Sequence, residues 1–213
     1  MFTRYRRKFG RARDLARFIY HRRLNGVPPP TDAPWFDREG VEAFKDELAK
    51  ASSYLEYGSG GSPVLADRAG IPVVIVEADP YFAQAVRSRI SGRKVDLLNP
   101  NMGLIGFYGT PLLRRRAKSR RYIEAPYPRA PFPDFILIDG RYRVACALSA
   151  AKHANEAGRR AMLMFDDYAR RRYYHQVEEH LGQPQLRGRA AFFTVGTREV
   201  EQSAIDLASG DWR

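Results

Sequence analysis

The chain has 213 residues, 44% of them hydrophobic, and carries a formal net charge of +12 from 36 Lys and Arg against 24 Asp and Glu. That is enough apolar material for one α/β core, while a single cysteine, Cys146, rules out an intramolecular disulfide or a cysteine-built metal centre. No apolar run approaches the roughly 18 residues of a membrane helix, and no secretory segment is seen at the N-terminus; a cytoplasmic protein attracted to polyanions is expected.

In chain order, residues 1–26 interleave many arginines with Phe2, Tyr5, Phe9, Leu15, Phe18, Ile19 and Tyr20, the pattern of a basic amphipathic helix. Val27 to Pro34, with prolines at Pro28 to Pro30, breaks that helix and reads as a linker. The expected division is 1–34 as helix and linker, and 35–213 as a domain. Val41, Phe44 and Leu48 recur at helical spacing, and Tyr54 to Tyr57 is a short strand running into a glycine cluster. Pro72 to Val76 is a second strand, Tyr81 to Ile90 a helix and Lys94 to Leu98 a third strand. Asn99 to Pro133 shows no clear period and reads as an insertion or lid. Phe135 to Ile138 and Ala161 to Phe165 are buried strands flanking a helix from Val144 to Ala157; a helix at Tyr173 to Leu181 and a strand at Ala190 to Val195 follow.

Alternating strands and helices predict a Rossmann-like, doubly wound, mainly parallel sheet with helices on both faces and a ligand crevice at the carboxyl ends of the strands. Tyr54-Leu-Glu-Tyr-Gly-Ser-Gly-Gly-Ser-Pro63 places glycines where a strand must turn sharply and admit a ligand to its backbone. Glu77, about 20 residues on at the end of the second strand, is where an acid can accept the hydroxyls of a ribose. A dinucleotide fingerprint would need glycine where Pro63 stands, which makes a nicotinamide cofactor less suitable.

Leu55-Glu56-Tyr57-Gly58-Ser59-Gly60-Gly61-Ser62 resembles the first motif of class I S-adenosylmethionine (SAM)-dependent methyltransferases, and Glu77-Ala78-Asp79 resembles their second. The resemblance extends through most of residues 35–195, with Ser62 where many members have a third glycine. It implies a SAM site made of Glu56, Tyr57, Gly58, Ser59, Gly60, Gly61, Ser62, Glu77, Ala78, Asp79 and Asp139. In it, Glu56 orients the methionine amino group, Gly58 and Gly60 admit the methionine portion and Glu77 binds ribose. Asp96, near the end of the third strand, resembles the acid that contacts adenine. The segments Ile138-Asp139-Gly140-Arg141-Tyr142-Arg143 and Phe165-Asp166-Asp167-Tyr168 are similar to bacterial methyltransferase-like proteins with unassigned acceptors.

The residues also suggest chemistry at the acceptor. Arg141 and Arg143 suit bidentate recognition of a carboxylate or phosphate, or else an internal ion pair, and Asp139 is the candidate proton acceptor. Asp139, Asp166 and Asp167 are similar to the magnesium-binding acids of catechol-type O-methyltransferases. The lysine base of those enzymes is missing from Arg141-Tyr142-Arg143, so capping and cofactor contact are favoured over Mg²⁺. His175 qualifies as a base only if it faces the sulfonium. Arg114 to Arg121, with Tyr108, Tyr122 and Tyr127 nearby, is either a nucleic-acid contact or a solvated loop. A second reading is therefore a non-catalytic protein of this fold that attaches to nucleic acid or acidic membrane through its basic segments.

Overall fold

The structure, a computed structural model, describes residues 12–92, 94–113, 115–128 and 131–213. Its centre is a seven-stranded sheet: β1 (Tyr54–Tyr57), β2 (Val73–Val76), β3 (Val95–Leu98), β4 (Phe135–Ile138), β5 (Ala161–Phe165), β6 (Gln185–Arg187) and β7 (Ala190–Val195) in the spatial order β3-β2-β1-β4-β5-β7-β6. The first five strands are parallel, and β7 is antiparallel to β5 and β6. Tyr57 is level with Val76 on one side and Ile138 on the other, so the carboxyl ends of β2, β1 and β4 finish together. Chain order reverses between β1 and β4, the position where doubly wound sheets open a crevice.

Strand alternation sends Leu55 and Tyr57 into one apolar layer and Tyr54 into the other. On the Tyr54 side lie α2 (Arg38–Lys50), α3 (Ser62–Arg68) and α4 (Pro80–Arg87), with Phe44, Tyr54 and Phe135 in mutual ring contact at 5.3–5.7 Å. On the Tyr57 side, α5 (Arg116–Ile123), α6 (Arg143–Glu156) and α8 (Gln202–Ala208) cover the sheet. The Val144-Ala-Cys-Ala-Leu-Ser-Ala-Ala151 stretch buries every residue, because small side chains let α6 lie close to the strands. Cys146 is fully buried there, and its thiol donates to Arg141 O at 3.5 Å.

The expected strands all form, within a residue at each end. Residues 99–133 depart from expectation. The stretch contains a β-bridge between Ile105 and Pro111, a 3-10 turn at Phe107–Gly109, and α5, which buries Tyr122 and Ile123. A helix that hides two apolar side chains beneath four Lys and Arg leaves little periodic signal. The expected helix at 173–181 is a 3-10 turn, Arg172–Val177, followed by the short α7 (Glu178–Leu181), and both β6 and α8 were invisible in the sequence pattern. The N-terminal helix is described over Ala12–Asn25 (α1); its expected first residues, 1–11, lie outside the described part.

Candidate active site at the carboxyl ends of β1, β2 and β4

The glycines after β1 have distinct reasons to be glycine. Gly58 has φ +97°, and a Cβ on it would stand 2.8 Å from Gly140 N and 2.9 Å from Asp139 C, because the loops leaving β1 and β4 touch at the reversal point. Gly61 is overlain by the linker, with Thr31 O 2.7 Å from where its Cβ would be. Gly60 has nothing within 4 Å of that position; it is the open member of the loop.

Beneath the loop, Glu56 is 1% exposed and accepts from Ser62 Oγ at 2.7 Å and Tyr54 OH at 2.8 Å. Burial pushes its carboxyl up to about 8. The acid expected to orient a methionine amino group is thus sealed under the loop, where it holds the first residue of α3. Tyr57 is also turned away: its hydroxyl donates to Ile123 O and lies 3.1 Å from Tyr127 OH within the core.

The β2 end supplies the acidic chemistry of the crevice, itself largely buried. Ser59 Oγ donates to Glu77 at 2.5 Å, the Asp79 amide donates to the same carboxylate at 2.8 Å, and burial lifts Glu77 to about 7. Ala78 packs into the core. Asp79 is the N-cap of α4, accepting from Tyr81 N at 3.1 Å and Phe82 N at 3.3 Å. Its other oxygen is 2.5 Å from Arg22 Nη1, so α1 is fastened to the rim of the crevice, an attachment that residue spacing gave no means to foresee. Asp96 does not join this group. It is exposed in the middle of β3 beside Val74 and lines a cavity of about 530 Å³ with Ser53, Pro72 and Lys94, toward the amino ends of the strands. Asn99, after β3, is the residue that reaches the site, donating to Glu77 O at 2.6 Å.

Beyond β4 the two arginines separate. Arg143 has a side chain only 6% exposed and donates to Gly140 O (3.1 Å), Asp166 O (2.8 Å), Asp139 O (2.9 Å) and Asp139 Oδ1 (2.6 Å). Its donors are committed internally, so it has no hand free for an acceptor. Arg141 has no side-chain hydrogen bond or ion pair among the described residues; its guanidinium lies 5.7 Å from the Trp212 ring. Burial lowers its affinity for a proton without bringing it into the titrating range. A Cβ on Gly109 would stand 3.9 Å from both Arg141 Nε and Glu77 Oε1, so these opposite charges border the same gap. Tyr122, reached from α5, pins the crossing: its hydroxyl donates to Val76 O at 3.2 Å and accepts from Arg141 N at 3.4 Å. Tyr142, with φ 54°, caps α6 while its amide donates to Trp212 O at 3.0 Å.

The three aspartates form ion pairs. Asp139 pairs with Arg143, Asp166 is held by both Arg189 Nε (2.9 Å) and Nη2 (2.8 Å), and Asp167 pairs with Arg171. No group of three His, Cys, Asp or Glu among the described residues is placed to hold a metal ion. Burial raises Asp139 against the pull of Arg143, and raises Asp166 to about 6. Asp139 keeps a third of its side chain accessible. His175 stacks on Tyr168 at 4.7 Å with Nε2 3.3 Å from Tyr168 O, part of the packing of the 3-10 turn Arg172–Val177 instead of the crevice. Asp37, Asp167, Arg170 and Arg171 line a second cavity of about 550 Å³ beyond β5. No helix among the described residues is long and apolar enough to cross a membrane.

No protein-family model and no curated protein matches the chain. Solved structures do. A methyltransferase-like protein from Silicibacter pomeroyi is 30% identical, with a TM-score of 0.75 over 86% of this chain and 98% of that one. Rv0187 from MTB, solved with its cofactor bound, is 15% identical with a TM-score of 0.52 over 87% of this chain and 97% of its own, a likeness of fold. With a glycine loop and an acid at the reversal point, and 30% identity to a protein matched over nearly its whole length, the chain belongs to the class I SAM-dependent methyltransferase family.

Proposed function

We propose that the chain binds SAM in the crevice between the β1 loop and Glu77 and transfers its methyl group to an acceptor bearing an anionic group. The observation that carries this reading is the pairing of an open backbone loop at Gly60 with a Ser59-supported Glu77, faced across Gly109 by the guanidinium of Arg141, which makes no hydrogen bond or ion pair among the described residues. The donor set fits the cofactor: Gly58 to Gly61 offer backbone to its methionine end and Glu77 accepts from ribose hydroxyls. Glu56, through Ser62, fixes the shape of the loop. When bound, SAM supplies an activated methyl group.

The remaining steps belong to the chain's own side chains. Arg141 draws the acceptor's carboxylate or phosphate toward the gap beside Glu77, and holding the reactants together does most of the work. Asp139, one oxygen held by Arg143 and a third of its side chain accessible, takes the proton the acceptor loses. Arg143 is a positioning residue that acts through Asp139. The test is calorimetric titration with SAM, S-adenosylhomocysteine and NAD. Saturable heats for the first two and none for NAD are expected; the absence of SAM binding would refute the reading.

A further inference from the structure

Between β3 and α5 the chain folds back on itself: Ile105 bridges to Pro111, and Leu112 N donates to Leu104 O at 2.9 Å. Helix α1 packs on this hairpin, with Phe18 and Phe107 ring centroids 4.2 Å apart and Leu15 beside Gly106. Yet Leu104 and Leu113 remain 59% and 54% exposed, and Leu112 38%. A core that buries Met102 and Tyr122 on either side of this segment leaves these three leucines in water, which marks a surface kept for a partner.

The charge around them is of one sign. No Asp or Glu occurs from Asn99 to Arg121. Arg115 and Arg116, two and three residues after Leu113, are exposed and have no ion-pair partner among the described residues. Lys118 Nζ lies against Gly103 at the base of the hairpin. On α1, Arg17 and Arg23 are exposed as well.

We infer that this hairpin and the start of α5 dock peripherally on an anionic lipid bilayer, the leucines entering the acyl boundary while the arginines meet headgroup phosphates. Three exposed leucines against one exposed aromatic on this hairpin, Tyr108, favour lipid over nucleic acid, since an aliphatic side chain neither stacks on a base nor hydrogen-bonds its edge. A second copy of the chain is opposed by the uniform positive charge. The far end of the same hairpin, Gly109, borders Glu77 and Arg141, so docking would bring the mouth of the crevice to the lipid surface.

The experiment is co-sedimentation of the full chain with vesicles of phosphatidylcholine alone and of phosphatidylcholine with phosphatidylglycerol, alongside a single-stranded RNA binding assay. The wild type is expected to partition onto the anionic vesicles only. Leu104→Ser with Leu113→Ser, on exposed positions, is expected to lower that partition at least about tenfold with an unchanged melting temperature. Arg115→Glu with Arg116→Glu should abolish it. The inference is overturned if the leucine variant binds anionic vesicles as well as the wild type. It is also overturned if RNA is bound and vesicles are not, or if the leucine substitutions act by dissolving a dimer seen in sedimentation velocity.

Discussion

Adding one methyl group at Gly58 and one at Gly60 separates architecture from ligand contact in the same loop. At Gly58 an alanine is forced to φ +97°, a conformation that costs an L residue about 1–2 kcal/mol. Its methyl also meets three backbone atoms of Asp139 and Gly140 at 2.8–2.9 Å, none of which can swing aside, adding about 1–3 kcal/mol of overpacking. Gly58→Ala should therefore lose about 2–5 kcal/mol, read as a lower urea midpoint at constant slope. Gly60→Ala meets nothing within 4 Å and should keep its stability to within about 0.5 kcal/mol. Its methyl occupies the space assigned to SAM, so the affinity measured by calorimetry should fall at least about tenfold, or about 1.4 kcal/mol. If Gly60→Ala bound SAM like the wild type, the ligand would not lie against this loop. An undiminished urea midpoint for Gly58→Ala would contradict the close approach of β1 and β4.

Four further outcomes are expected. Glu77, held at about 7 by burial, must ionise to accept ribose hydroxyls, so SAM affinity should rise from pH 6 to 8; Glu77→Gln should flatten the profile. The same burial raises the folded values of Glu56 and Glu77 above an unfolded value of about 4.3. Their contribution to stability is complete below that unfolded value and is lost as pH rises through about 7 and 8, which denaturation of the ligand-free protein across pH 5–9 would show. Arg143→Ala leaves Asp139 and three carbonyls without their donor and should cost about 3–5 kcal/mol. Arg141→Ala should stay within about 1 kcal/mol of wild type while lowering turnover of a genuine acceptor at least tenfold; equal thermal shifts for the two variants would contradict the division. Asp79→Asn keeps an N-cap acceptor but loses the charge that holds Arg22. Limited proteolysis should then cut within residues 12–34 faster, and an unchanged rate would mean that α1 is held by its apolar contacts alone.

The parallel strands were legible because each is a compact β-branched or aromatic run bounded by Gly, Pro or Asp, as at Val73–Val76 and Phe135–Ile138. The glycine loop and Glu77 were legible for a related reason, since backbone approach and a strand-end acid leave marks at fixed offsets. What escaped depends on side-chain direction and long-range pairing. Nothing local tells that Arg143 turns inward to Asp139 and Asp166 while Arg141, two residues away, faces the gap. Tyr122 belongs to a run that looks like solvated charge, and only the helix beneath it shows why a tyrosine sits there. Asp96 was misplaced by position along a strand: two residues short of the end is enough to put a carboxylate on the other side of the sheet's midline.

Cys146 turns the scaffold under the site into its own clock. Its thiol is fully buried, burial pushes its ionisation well above the ordinary range, and it sits on α6 a single turn from Tyr142 and Arg143. Alkylation can proceed only when α6 lifts from the sheet, so with excess reagent the labelling rate measures how often the β4–α6 junction opens in otherwise native molecules. Any compound that binds the closed crevice must slow that clock in proportion to its occupancy, whether or not it is turned over.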